Sequence, residues 1–211
     1  MKSRVMGLLA VALAVTSLPA AAAVIVGATG ATTNMGESFP LVHSIDQSGL
    51  SPGYTSGVTD FDAYVLVGRH QSAPGTDWVS DSLRGSAVFD LGALYPIDAM
   101  AVWNFGTAQG NPSFAIQDIT LDYSLDGVLF SPLGAYTLAN PNGAPDTLAQ
   151  ILAFGSVSAQ YVRMNVLSTY GSPAALGEVA FRSTVPEPGS LALLGLGLLG
   201  LGAAGRRRNP G

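Results

Sequence analysis

An all-β sandwich is the fold this sequence predicts for its central part. Apolar and polar residues alternate with period two in several short runs, which buries one side of each extended segment. Clusters of Gly, Pro, Asn and Asp, such as "TAQGNPS" and "ANPNGAPDT", separate those runs and mark turns. No stretch of 24–184 carries the 3.6-residue apolar period of a long helix. Many short strands punctuated by turns pack as two sheets.

The elements follow in chain order. Lys2 and Arg4 open the sequence, residues 5–18 are almost wholly apolar, Pro19 breaks the run, and Ala21-Ala22-Ala23 supplies small residues. This pattern predicts a secretory signal in 1–23 with cleavage after Ala23. "SAVFDLG" (86–92) is rich in strand formers. In "DITLDYSLDG", Ile119, Leu121 and Tyr123 alternate with Thr120, Asp122 and Ser124, and Asp126-Gly127 predicts a hairpin turn. In "QYVRMNVL", Val162, Met164 and Val166 alternate with Tyr161, Arg163 and Asn165, and "LGEVAF" (176–181) is the last strand of the domain. A final segment, 185–211, holds Pro186-Glu187-Pro188, an uncharged apolar run of 17 residues (189–205) and Arg206, Arg207 and Arg208. The run is at the short limit for a bilayer-spanning helix. Clustered arginines stay on the cytoplasmic side, so 24–184 faces outward.

Composition narrows the chemistry. Thirteen acidic residues and four arginines lie in 24–184, which sets that segment near −9, with no lysine. Such a surface repels phosphate backbones and excludes nucleic acid as a natural partner. It favours divalent cations. The chain has no cysteine, so thiol catalysis, zinc–thiolate sites and disulfides are excluded. Only His43 and His70 are available for imidazole chemistry.

Two resemblances add to this reading. "VPEPGSLALLGLGLLGLGAAGRRR" resembles the PEP-CTERM sorting signal of Gram-negative, exopolysaccharide-producing bacteria. It implies export through the inner membrane, transient membrane residence, processing near Pro186-Glu187-Pro188 by an exosortase, and a cell-surface or extracellular destination. The motifs Asp90-Leu91-Gly92, the Ile97 to Val102 strand, Tyr123-Ser124-Leu125-Asp126-Gly127, Tyr161-Val162-Arg163 and Leu176-Gly177-Glu178-Val179 stand in the order of the discoidin, or coagulation factor 5/8 type C, family. That resemblance implies a galactose-binding-like jelly roll over 24–184. Most of these motif residues also read as structure: a strand ending in a tight turn at Asp90-Leu91-Gly92, a core Tyr123, a turn at Asp126-Gly127 and a core Trp78.

"HSIDQSGLS" holds the candidate cation loop. Asp46, Ser48 and Ser51 stand at i, i+2 and i+5, and Gly49 lets the segment curl. Calcium takes six to eight oxygens from carboxylates, hydroxyls and carbonyls. By resemblance, Asp46, Ser48, Ser51 and the His43 carbonyl are ligands, and the Gly177 carbonyl and Glu178 close a structural calcium site. Family members often carry Asp or Asn where Ser48 stands, which implies weaker binding here. The alternative is a turn in which Asp46 caps its own backbone.

Carbohydrate sites combine an aromatic platform with a few directed polar groups. Tyr54, Tyr64, Arg69, His70, Trp103, Asn104, Phe105 and Tyr170 are the loop candidates, and Arg69, His70, Asn104 and Phe105 form the set expected at the ligand. Trp103 reads equally as the last buried residue of its strand. No nucleophile motif or singled-out carboxylate pair points to an enzyme. Two functions remain: binding of extracellular polysaccharide, or a structural and adhesive role in the matrix through protein–protein contacts.

Overall fold

The computed structural model describes residues 22–106, 111–144 and 146–185. The signal residues before Ala22, the sorting residues Pro186, Glu187, Pro188, Arg206, Arg207 and Arg208, and the apolar run between them lie outside the described residues. Among the described residues, no helix is long and apolar enough to cross a membrane.

The strands are β1 (Ala22–Val26), β2 (Gly30–Thr33), β3 (Leu50–Ser51), β4 (Arg69–Gln71), β5 (Trp78–Val79), β6 (Gly85–Asn104), β7 (Asp118–Ser124), β8 (Ser131–Thr137), β9 (Asp146–Leu148), β10 (Gln150–Val166) and β11 (Ala175–Val185). One short helix, α1 (Phe61–Tyr64), is capped by Asp60, whose carboxylate accepts from the Ala63 N–H at 2.7 Å. The main sheet runs β1-β11-β6-β10-β7-β8, with β2 beside β6 and β5 beside β11. A second, small sheet holds β3, β4 and β9.

The main sheet folds over on itself because β6 and β10 are long and bend. The first part of β6, up to Asp90, pairs with β2 and with the last part of β10, and the part from Ile97 pairs with β11 and the first part of β10. At the bend, residues 91–94 of β6 stand opposite Gln160 alone. Gly92 takes φ +80 there, and its N–H donates to Asp90 Oδ1 at 2.8 Å. The expected strand end at Asp90-Leu91-Gly92 is therefore a corner within one continuous strand.

The two layers meet over a shared core. Phe89 of one layer and Phe181 of the other have ring centroids 6.3 Å apart, within a cluster that includes Val162, Met164, Ile119 and Leu121. The period-two reading holds for β10 from Tyr161 to Val166 and for β7 as far as Asp122; at the end of β7 it breaks, since Tyr123 is half-buried at the edge of the core and Ser124 is buried. The second half of β6 is apolar at nearly every position because it is covered on both faces: α1 and Tyr54 close its outer side over Trp103. The sandwich has two distinct ends. Trp78, Asn104 and Leu176 meet at one. Pro96, Ser158 and Ser183 meet at the other, with Ser183 Oγ donating to the Pro96 carbonyl at 2.9 Å.

Candidate functional site

The loop between Leu41 and β3 is built by local backbone chemistry. A 3-10 turn over Leu41–Ser44 delivers the chain to Asp46, whose Oδ1 accepts from the Ser48 N–H at 2.8 Å. Gln47 at φ 63 and Gly49 at φ 88 then reverse the chain into β3. The last strand meets this curl: the Gln47 N–H donates to Glu178 Oε2 at 2.9 Å across 131 residues. The Gln47 side chain, in turn, accepts from the Tyr54 N–H.

Glu178 is fully buried, and its Oε1 has no hydrogen-bond partner. Burial pushes its pKa up to about 9, against the pull of the Gln47 N–H and with help from the nearby Asp46 charge. Burial also pushes Asp46 upward, but Ser48 and His43 outweigh it, so Asp46 sits below its ordinary value. Ser48 Oγ is buried and makes no hydrogen bond of good geometry, although it lies near enough to Asp46 to favour the carboxylate. Ser51 stands exposed in β3, opposite Arg69. The structure thus brings Asp46, Ser48 and Glu178 around one curl, with His43 Nδ1 3.2 Å from Asp46 Oδ2, and ties Ser51 to it only through the strand.

Those orphaned oxygens test the fit of a cation. A buried carboxylate with one unsatisfied oxygen, beside a second carboxylate, costs free energy that a hard divalent ion would offset. Among the described residues, no three His, Cys, Asp or Glu side chains cluster, so neutral oxygens would complete the shell, as calcium accepts. The residues fit the group.

His70 supports this loop from behind. It is fully buried, and its Nε2 lies 3.0 Å from both the Ser48 and Thr76 carbonyls. Carbonyls only accept, so Nε2 carries a proton. Burial lowers the ring's pKa, against the pull of the two carbonyls and of the Asp46 charge. Nδ1 faces Asp77 Oδ1 at 3.8 Å, and burial pushes Asp77 up to about 6. The ring sits between two glycines. A Cβ on Gly49 would lie 2.7 Å from Nε2, and one on Gly177 would lie 2.6 Å from Nδ1.

A groove of about 320 Å³ opens beside the small sheet, lined by Arg69 of β4, by Asp146 and Leu148 of β9, and by Asn140, Pro141 and Gln150 among others. Most of its polar side chains are already engaged. Gln150 accepts from the Ala139 N–H and donates to its carbonyl, and Asn140 accepts from the Asn142 N–H while donating to the Pro112 carbonyl. The Arg69 guanidinium and the Asp146 carboxylate lie 3.5 Å apart and are about half exposed, so both have free valences towards solvent. Leu148 offers an apolar wall.

The expected ligand set is corrected at three of its four positions. Arg69 lines the groove. His70 is its neighbour on a strand, so its side chain points to the opposite side and is spent on the loop. Asn104 is fully buried, donates to the Ile116 and Ala139 carbonyls and accepts from the Phe105 and Ile116 N–H groups. Phe105 is half-buried against Phe114, with centroids 6.0 Å apart. Tyr54, Tyr64 and Trp103 belong to the core, and Trp103 Nε1 donates to the Gly68 carbonyl at 2.9 Å. Sequence reasoning missed Asp146, which lies in a stretch read only as a turn cluster. The one available signal was its carboxylate next to Thr147 and Leu148, a short run of strand character.

Comparisons with known proteins agree with this architecture. Residues 184–208 match the PEP-CTERM protein-sorting motif. No curated protein is significantly similar to the chain. The domain is similar in structure to the family 32 carbohydrate-binding module (CBM32) of AlyQ, solved with 4,5-unsaturated mannuronic acid, at 12% identity and TM-score 0.51, covering 74% of this chain and 96% of that one. It is similar to the family 32 module of Clostridium perfringens NanJ, solved with galactose, at 14% identity and TM-score 0.51, covering 76% and 99%. It is also similar to CBM32-1 from a family 31 glycoside hydrolase of the same organism, at 14% identity and TM-score 0.51, covering 74% and 96%. At these identities the likeness is one of fold. Residues 184–208 thus carry a protein-sorting motif, and the domain before them has the fold seen in family 32 carbohydrate-binding modules.

Proposed function

We propose that this chain is an exported surface or matrix protein, processed at its C-terminal motif by an exosortase, whose sandwich binds a neutral sugar of extracellular polysaccharide. The observation that carries the binding reading is the half-exposed Arg69–Asp146 pair beside Leu148 in the groove. A guanidinium donates to two hydroxyl oxygens and a carboxylate accepts from two hydroxyl protons, so the pair matches adjacent hydroxyls on a sugar ring. The structural relatives were solved with a neutral sugar in one case and a uronate in another. Asp146 favours the neutral class here, since its charge beside Arg69 repels a ligand carboxylate, on a segment near −9.

Each such hydrogen bond to a charged group gains about 1.5–3 kcal/mol net, because water satisfies the same groups, and the entropy of holding the sugar opposes it. Binding is therefore weak, with Kd on the order of 0.1–1 mM. Many copies on one polymer raise it by avidity. Among the described residues lining the groove, none forms a nucleophile–base pair, and the reading is binding without cleavage.

Calcium belongs to this proposal as a structural ion. Asp46, Glu178 and Ser48 would hold it, with carbonyl oxygens of the loop, including His43, and of Gly177. When bound, it supplies positive charge that lets Glu178 ionise in place and fastens the loop to β11.

A second reading rests on a separate observation. Leu125, Val128 and Leu129 stand exposed on the β7–β8 turn, more than half of each surface free. A structural or adhesive protein would use such a tip for protein contacts. Affinity electrophoresis in gels containing the producer's extracellular polysaccharide, with calcium present, separates the two. Retardation that is lost in Arg69→Ala supports sugar binding. Unretarded migration favours the adhesive role, and a shortened polymer would reveal a hydrolase.

A further inference from the structure

The sorting motif and the folded sandwich overlap. The motif begins at Thr184, whereas β11 extends to Val185. Thr184 and Val185 are thus both strand residues and the first residues of the motif. Their pairing is one-sided. On the β6 side, the register of β11 ends at Ser183, opposite Ile97. On the β1 side it continues, with Val24 opposite Ser183, Ala23 opposite Thr184 and Ala22 opposite Val185. The two motif residues are therefore held in the sheet by Ala23 and Ala22.

Those same two alanines are the last residues of the signal that the sequence predicts, with cleavage after Ala23. From Val24 onward β1 is held on its outer side as well: Val24 bridges to Asp60, the Ile25 N–H donates to the Thr59 carbonyl at 2.9 Å, and the Gly57 N–H donates to the Ile25 carbonyl at 2.7 Å. Cleavage after Ala23 leaves this part of the strand intact. It removes the partner of Thr184 and Val185 and nothing else of the ladder.

We infer that Ala22 and Ala23 latch the proximal end of the sorting motif into the sheet, and that N-terminal cleavage releases it. The inference rests on the proposed export and C-terminal processing. Before cleavage, Pro186 follows directly on a paired strand. After it, the sheet ends at Ser183, and Thr184 and Val185 add about 7 Å of extended chain ahead of Pro-Glu-Pro. A processing enzyme must surround an extended segment to reach the bond it cuts, and peptide groups already paired in a sheet are closed to it. The register therefore sets an order of maturation, N-terminus first and tail second. A sheet that ends at Ser183, two residues short of Pro-Glu-Pro, is its physical basis.

The test restores the latch on the mature chain. Inserting Val-Thr between Ala23 and Val24 leaves residues 1–23 and their cleavage site unchanged and returns two strand-forming partners opposite Thr184 and Val185. Inserting Gly-Gly adds the same length with poor strand propensity. Full-length chains are expressed in the native host, and both termini are read by intact-mass spectrometry during a pulse-chase. The expected result is tail removal several-fold slower with Val-Thr than with Gly-Gly or no insertion, accompanied by slower hydrogen exchange in the peptide ending at Val185. Equal rates in all three chains, with the inserted residues confirmed on the mature N-terminus, would overturn the latch. If the unaltered chain keeps its tail, the processing reading itself has failed, and slowed exchange at Thr184 and Val185 in the Val-Thr chain would still report the pairing.

Discussion

Arg69 and His70 are neighbours in β4, and they belong to two regions built on opposite principles. On the His70 side, polar groups are buried, closely packed and mutually constrained: the ring touches Gly49 and Gly177, holds the Ser48 and Thr76 carbonyls, and backs the curl that meets Glu178. On the Arg69 side, the pair with Asp146 is half exposed and supports little of the fold. The contrast teaches that in this sandwich stability and recognition are separated by a single step along a strand. Changes on one side should move stability, and changes on the other should move binding.

The largest stability effect should come from His70→Ala. It leaves the two carbonyls and the loop without their buried donor and opens a cavity. A loss of about 3 kcal/mol, or roughly 10 °C in Tm, is expected by thermal unfolding. Gly177→Ala should approach this cost, because the added methyl meets the His70 ring and overpacking costs about 1–3 kcal/mol. A wild-type Tm in either variant would break the comparison, since the buried side would then bear no more weight than the open one.

The cation loop gives the next effect, and its sign with pH is fixed. Glu178 is raised in the folded state, from an ordinary 4.5 to about 9, so between those values the native domain binds a proton that the unfolded chain has released. In chelator, stability is therefore greatest near pH 5 and falls as pH rises towards 9. At free calcium a hundredfold above Kd, linkage adds about 2.7 kcal/mol at neutral pH and flattens that fall. Glu178→Gln should melt higher than the wild type in chelator at pH 8 and gain nothing from calcium. A wild-type Tm unaffected by calcium across this range would remove the ion from the account.

The smallest stability effect belongs to the groove. Arg69→Ala and Asp146→Ala should each change stability by less than about 0.5 kcal/mol. Each should still weaken sugar binding roughly tenfold, as loss of about one charge-assisted hydrogen bond does. Phe105→Ala sharpens the point. Its ring packs on Phe114, so it should lower Tm modestly and leave binding unchanged.

The sequence made the sandwich legible because period two survives wherever one face is solvated, as in Ile119-Leu121 and Val162-Met164-Val166. It hid the bend, because Asp90-Leu91-Gly92 looks like a strand end when pairing across the corner is not visible. It also hid the length of β6, whose second half is covered on both faces. That Asp46 and Glu178 meet at one curl was legible from the loop spacing and from the family resemblance of the last strand, and the Gln47–Glu178 hydrogen bond brings them there. Asn104 and His70 were misplaced because a polar residue next to a loop looks available. Strand alternation should have put His70 opposite Arg69, and the two glycines that admit its ring come from distant parts of the chain. Asp146 reaches Arg69 diagonally across the pairing of β4 with β9, which sets Arg69 opposite Leu148 and Asp146 opposite Gln71, a contact that no local pattern announces.

The central claim is that sugar is taken at the Arg69–Asp146 groove, apart from the buried loop and apart from the apolar β7–β8 tip. Titration of isotopically labelled domain with neutral oligosaccharides from the producer's polysaccharide, followed by backbone amide shifts, tests it most directly. The account predicts saturable shifts confined to β4, β9 and residues 139–150, with Kd on the order of 0.1–1 mM, and their loss in Arg69→Ala. Shifts centred on 125–129, or none at millimolar sugar with calcium present, would contradict it.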